Sequence, residues 1–281
     1  MKKKSIHILL PPVWGGIYIQ VARLLKAALC DMGYGVIISD AVATTADLRI
    51  VLGWHLFRGA VPTGIPYIVY QLEPLTQPLW TDKFRASEPV FKRACMLWDY
   101  CHSNSVFLHE LGYRTTLIPL GYHEQQEVLP AREMADYDVL FVGFVTERRK
   151  HILRELQQHC SVSVGPKWGS DFDNALWRSK ILLNIHQYDL PTPLEQARVA
   201  YALNNNCFVI SEYASDTPYP ELVQCHYHEL VQTVLYYLYH PLQREQRQAK
   251  SVAAFKCRHM QLPAAALEEL VPPSEIEKVD L

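Results

Sequence analysis

Asn184, His186, Glu195 and Arg198 bring a carboxamide, an imidazole, a carboxylate and a guanidinium into a short span of the chain. That set suits an anionic ligand, because arginine offers a two-pronged fork to phosphate oxygens and a polar neighbour can fix its direction. Glu195 and Arg198 could equally form a simple ion pair one helical turn apart, worth a few tenths of a kcal/mol. Placement favours the ligand. In residues 180–212, KILLNIHQYDLPTPLEQARVAYALNNNCFVISE, an apolar run from Lys180 to Asn184 reads as a strand, and the polar residues start where it stops. A loop, a helix and a second strand follow. Ligands of open α/β sheets bind in the crevice outside the carboxyl ends of the strands, which is where these groups would stand.

Two other segments occupy equivalent places. Gly15 and Gly16 follow the first apolar run, Ile6 to Leu10, and open a helical pattern. Free backbone N–H groups at a helix start can hold a phosphate. The pair could also serve only a tight turn, and the chain carries no GxGxxG fingerprint there. In residues 143–150, GFVTERRK, Gly143 ends a strand and Arg148, Arg149 and Lys150 stand at the next helix start. The helix dipole disfavours cations there, so they face solvent or serve a bound anion. For proton transfer the eligible groups are histidines and carboxylates at strand ends. His186 is one, Glu73, Asp99 and His123 are others, and His55 and His102 sit at similar places; most of the 12 histidines carry no such signal.

Positioning these groups requires parallel sheets. Strand-like runs near residues 6–10, 36–39, 48–52, 67–70, 96–98 and 115–118 alternate with helical spacing, and the pattern begins again at 138–143. Later strands fall near 161–164, 181–184 and 207–210, with helical spacing at 147–158 and over 228–260. Strands separated by helices predict βαβ units. The division is a domain over 1–124, a boundary at 124–136, a domain over 137–260, and a partly mobile tail over 261–281, rich in proline and acidic residues.

Composition excludes several classes. The 281 residues carry 27 Lys and Arg against 29 Asp and Glu, so no overall field attracts nucleic acid. The first apolar run is too short for a signal peptide, and no stretch reaches the roughly 18 apolar residues of a membrane helix. Seven cysteines without a CxxC pair suggest reduced thiols and a cytoplasmic location. Cys225, His226 and His228 lack a second ligand cluster, so no metal site is expected.

The segment 180–212 resembles the donor-binding half of family-1-type glycosyltransferases with the GT-B architecture, where LNIH or LNLH ends a strand and an R-x-x-E-A-L-A-x-G-type helix follows. DVLFVGFVTERRKHILREL is similar to the opening of the same domain, and HSNSVFLHELGYRTTLIPLGYHE to the end of the first domain and the hinge. YQLEPLTQPLW and MLWDYCHSNS resemble segments of a bacterial subgroup. The resemblance implies an α/β fold of two Rossmann-like domains facing each other across a cleft, the first on the acceptor side and the second on the nucleotide-sugar side. It implies transfer of a sugar from a nucleoside-diphosphate donor, a UDP-sugar as first choice, to a hydroxyl of a glycan, lipid-linked or small-molecule acceptor. No bound cofactor or metal is implied. Fixed cations and helix starts would stabilise the leaving diphosphate.

By position, Arg148, Arg149 and Arg198 would face phosphates, Asn184 and His186 would border the donor pocket, and Gly15, Gly16 and Gly143 would approach the ligand closely. Two departures stand out. Tyr201 replaces the Glu that follows Arg198 in the related helix and holds ribose, with Glu195 a candidate substitute one turn earlier. Asn206 takes the left-handed place usually held by glycine. The chain is also short for the class, so a protein partner or a second copy could complete the acceptor half. The alternatives are a catalytically silent GT-B module that binds a ligand or partner, and transfer onto modified DNA bases.

Overall fold

The computed structural model describes residues 4–13, 15–42, 44–57, 61, 64–130, 135–165 and 168–271. The lysines at 2–3, part of the expected boundary (131–134) and the last part of the expected tail (272–281) lie outside the described residues. Two parallel sheets are present. The first contains β1 (Ser5–Leu9), β2 (Gly35–Ser39), β3 (Leu48–Val51), β4 (Tyr67–Gln71), β5 (Met96–Asp99) and β6 (Thr116–Leu117), in the order β2-β1-β3-β4-β5-β6. Its helices are α1 (Ile19–Asp31), α2 (Pro78–Ala86), α3 (Glu88–Arg93) and α4 (His102–Glu110).

The second contains β7 (Tyr137–Val142), β8 (Val162–Gly165), β9 (Ser179–Asn184), β10 (Phe208–Glu212) and β11 (Val223–Cys225), in the order β11-β10-β9-β7-β8. With it come α5 (Glu147–Leu156), α6 (Ser170–Trp177), α7 (Gln196–Asn204), α8 (Leu230–Tyr239), α9 (Pro241–Lys256) and α10 (Ala264–Leu270). Each sheet reverses strand order beside its first strand, and the crevice at that reversal is where such sheets take ligands. In the second sheet it opens between the ends of β7 and β9. The expectation of two Rossmann-like domains is met.

Side-chain alternation builds the cores. In β7, Val139 and Phe141 pack with α5 and α8 residues such as Leu156 and Val234, while Leu140 and Val142 join the opposite layer with α7 residues such as Val199. Both faces are covered, which is why DVLFV reads as a near-continuous apolar run. In the first sheet Leu9, Val51, Val69 and Leu97 pack beneath α2 to α4, and Ile6, Ile8 and Ile50 meet α1.

The helical pattern over 228–260 resolves into two helices, because Pro241 has no N–H to donate and begins α9 anew. Asn206 adopts φ 55°, the left-handed conformation expected for it. Of the segment 261–281, residues Ala264–Leu270 form α10 with Leu267 completely buried, a contribution of about 1.5–3 kcal/mol. The chain passes between the sheets twice, and the two passages lie side by side. Tyr122 N–H donates to Arg258 O (2.7 Å) and Met260 N–H to Tyr122 O (2.8 Å). A Cβ on Gly121 would stand 2.6 Å from Arg258 O, so that passage requires glycine.

Candidate active site

At the carboxyl ends of β7, β9 and β10 three arginines stand in a dense polar network. Arg149, 4% exposed, donates to Ile185 O from Nε (2.9 Å) and from one terminal nitrogen (2.7 Å), and to Phe144 O from the other (2.9 Å). Burial pulls it down to about 10, with Arg198 adding to that and Glu195 opposing. Arg148 is gripped at both terminal nitrogens by Glu212, donates to His186 O (3.2 Å), and lies 3.9 Å over the Tyr227 ring. Arg198 donates to Asn184 Oδ1 (2.6 Å) from one terminal nitrogen. Its other lies beside Gly143, whose Cβ, were there one, would be 3.2 Å away. Gly143 also has φ +141°, so two constraints favour glycine there.

Glu195 ties the network together. Its Oε2 accepts from Asn184 (2.7 Å) and from His186 Nδ1 (3.0 Å), and its Oε1 is 3.6 Å from Arg149. Burial alone would lift this carboxyl, but the charge and hydrogen bond of His186, then Arg198 and Asn184, hold it at about 2. His186 faces an oxygen on each side, Glu195 Oε2 and Tyr213 O (3.0 Å). Both ring nitrogens therefore donate, and the ring is an imidazolium. Its pKa is raised accordingly: burial opposes the charge, and Glu195 outweighs it. A ring so held is a brace and not a base.

The first domain presents carboxylates of another kind. Glu73, just past β4, accepts from Tyr18 Oη at 2.6 Å. Burial lifts it to about 7, against the Tyr18 hydrogen bond and Lys83. Asp99, at the end of β5, is likewise lifted by burial to about 7 against hydrogen bonds from Cys101 N–H, Gln71 and Asn104. Gln71 and Asn104 also donate to Glu73 O, and Gln71 Oε1 takes Glu73 N–H and Trp54 Nε1, so Asp99 sits behind Glu73 and fixes its backbone.

The carboxyl ends of the two sheets meet. Tyr188, in the loop after β9, is close enough to feel both Glu73 and Arg149. Gln77 Nε2 donates to Pro191 O (2.9 Å), and a Cβ on Gly16 would stand 2.7 Å from Trp168 Cδ1. Gly15 and Gly16 begin a single 3₁₀ turn (Gly15–Tyr18) ahead of α1.

Of the residues singled out in the sequence, Gly143, Arg148, Arg149, Asn184, His186, Glu195 and Arg198 stand together, with Glu73 opposite and Gly16 at the domain contact. His123 stands elsewhere. It lies in the first passage between domains, with its N–H donated to Asn204 (3.1 Å) and its ring on Asp31 (3.1 Å). Tyr201 is 4% exposed, stacked at a tilt on Phe172, and donates to Asp173 (2.7 Å). Glu212, Tyr18 and Tyr188 were missed. Glu212 had a signal, since it is the last residue of a strand beside β9; Tyr18 and Tyr188 are placed only by tertiary contact. Among the described residues no group of three or more His, Cys, Asp or Glu could hold a metal ion, and no helix is long and apolar enough to cross a membrane.

No protein-family model and no curated protein matches the chain. Solved structures do match in fold. An alpha-glucosyltransferase in complex with UDP and a 13-mer DNA containing a HMU base superposes with a TM-score of 0.59 at 8% identity, covering 96% of this chain and 99% of that one. The DNA-modifying beta-glucosyltransferase gives 0.55 at 12% identity over 95% and 99%. An alpha1,3-fucosyltransferase with GDP-fucose gives 0.52 at 11% identity over 98% and 92%. At such identities the likeness establishes architecture. The chain has the GT-B fold, and these structural neighbours are glycosyltransferases named with nucleotide or nucleotide-sugar ligands.

Proposed function

We propose that the protein is a metal-independent glycosyltransferase that moves a sugar from a nucleoside-diphosphate donor, a UDP-sugar as first choice, to a hydroxyl acceptor. One observation carries the reading: the arginine cluster with Arg198, aimed by Asn184, and Glu73, a carboxylate lifted to about 7, stand at meeting strand ends, with Tyr188 within the fields of both Arg149 and Glu73. The arginine is suited to the leaving diphosphate and the carboxylate to the acceptor's proton. Arg148 and Arg149, engaged with Glu212 and with backbone carbonyls, hold the strand ends and add positive field. His186 and Glu195 keep Asn184, and through it Arg198, in direction. Asp99 acts behind Glu73. The sheet reversals support assigning the nucleotide to residues 137–260 and the acceptor to residues 1–124.

Thermal unfolding against UDP, GDP, ADP, CMP and dTDP tests this. A ligand of the native state at a hundredfold its Kd stabilises by about 2.7 kcal/mol. The expected result is a rise with one nucleotide that Arg198→Ala removes, followed by hydrolysis of the matching sugar nucleotide.

A second reading is a catalytically silent GT-B module. Tyr201 favours it, because the hydroxyl at this site is committed to Asp173 and no carboxylate of α7 stands there for ribose. The absence of any nucleotide response would select it. Transfer onto DNA bases is a third reading, motivated by the two neighbours named for DNA; binding to duplex DNA that weakens with salt would favour it.

A further inference from the structure

Among the described residues, His55 Nδ1, Gln77 Oε1 and Tyr188 Oη are buried polar atoms without a hydrogen-bond partner; Gln77 bonds across the seam between the domains to the loop that carries Tyr188, and His55 packs on Trp80 of the helix that Gln77 begins. Gln77 is 1% exposed and stands at the start of α2. Its Nε2 bridges to Pro191 O (2.9 Å) and Thr192 Oγ1 (3.3 Å), which leaves Oε1 unmatched. The His55 ring meets the Trp80 ring edge to face at 4.8 Å, and Lys83 Nζ sits 4.1 Å over Trp80. Tyr188 closes the seam from the second domain, within the fields of Glu73 and Arg149.

Leaving one such atom unpaired costs about 1–3 kcal/mol, so several gathered at a cleft mark a place where a ligand supplies the partners. The chemistry of the atoms narrows that ligand. Gln77 Oε1 can only accept, and Tyr188 can accept or donate. His55 is neutral, because burial and Lys83 pull it down to about 4. The orphan groups thus ask for uncharged hydroxyls. Trp80, partly exposed beside them, offers an aromatic wall for an aliphatic ring face, the usual companion of a few placed polar groups.

We propose that this seam is the acceptor subsite and that it takes a neutral saccharide, its ring against Trp80, its hydroxyls on Gln77 and Tyr188, and its attacking hydroxyl at Glu73. The inference rests on the glycosyltransferase reading above. In the transfer, the hydroxyl oxygen bonds to the anomeric carbon of the donor and its proton passes to Glu73. The anomeric carbon's bond to the diphosphate oxygen breaks, and the electron pair leaves on the nucleoside diphosphate beside Arg198. Pro191 and Thr192 hold the Gln77 amide from the second domain, which fixes it in the seam.

Saturation-transfer NMR on the whole chain tests the subsite, with cellobiose, maltose and chitobiose as probes, each with and without UDP, and a short DNA oligonucleotide alongside. At least one disaccharide is expected to respond. Gln77→Leu and Trp80→Ala should weaken its binding about tenfold, and Tyr188→Phe, which removes a single oxygen, about three- to tenfold, with UDP affinity unchanged. Silence from all three sugars, a response that survives all three substitutions, or a response to DNA alone overturns the proposal. Sugar silence with UDP bound removes the subsite only; if UDP also fails to stabilise the protein, the glycosyltransferase reading falls with it.

Discussion

The two strand-end clusters that face each other share a topology and differ in charge. In the second domain burial is overcome: Glu195 stays ionised at about 2 because His186 and Arg198 stand beside it. In the first, burial prevails: Glu73 and Asp99 rise to about 7, surrounded by neutral hydroxyl and amide donors and a more distant Lys83. The difference separates two tasks. Fixed charges stabilise charge that develops during reaction, whereas a group that titrates near neutrality can take a proton.

The contrast breaks most sharply at Glu73. Glu73→Gln should lower turnover by about 10²–10⁴-fold and leave nucleotide affinity intact, with wild-type activity rising through about pH 7. Rates against pH for both proteins check it. On the other side, Arg198→Ala should weaken nucleotide binding by about 1.5–3 kcal/mol, measured by titration calorimetry, the usual worth of a hydrogen bond to a charged group.

The clusters should also answer pH with opposite sign. Glu73 binds its proton more tightly when folded, so stability falls as pH rises from about 4.5 to 7. Glu195 holds its proton less tightly, so its contribution is full above about 4.5 and is lost as pH falls toward 2. At pH 8, Glu73→Gln should raise the melting temperature and Glu195→Gln lower it, and the first difference should vanish near pH 4. Equal signs in a calorimetric scan would mean that burial governs both carboxyls alike. The smallest effect belongs to Tyr201→Phe, which removes the bond to Asp173: about 1 kcal/mol, or roughly 2–4 °C in Tm.

The strands were legible because parallel strands covered on both faces leave unbroken apolar runs, as in β7 and β9. Helices α2, α3 and α6 were not read, since PLWTDKFRA, EPVFKR and SDFDNALW are short and lack a sustained apolar stripe. In the second domain the strand-end rule located Asn184 and His186 and would have located Glu212. It could not assign roles. Sequence offers Arg149 as a phosphate ligand, and only the fold shows its fork closed on Ile185 and Phe144. Glu73 and His123 looked alike as candidates, and tertiary placement separates a cleft carboxylate from a ring in the passage between domains.

Helix α10 lies back over the first domain, with Glu268 near enough to Tyr34 to add to the rise that burial gives its phenol. Met260, Leu267 and Val271 share a buried layer with Leu25 and Leu29 of α1. The layer over α1 is therefore closed by residues that follow the whole second sheet in sequence, so the first domain's core is completed only by chain that has already traversed the second.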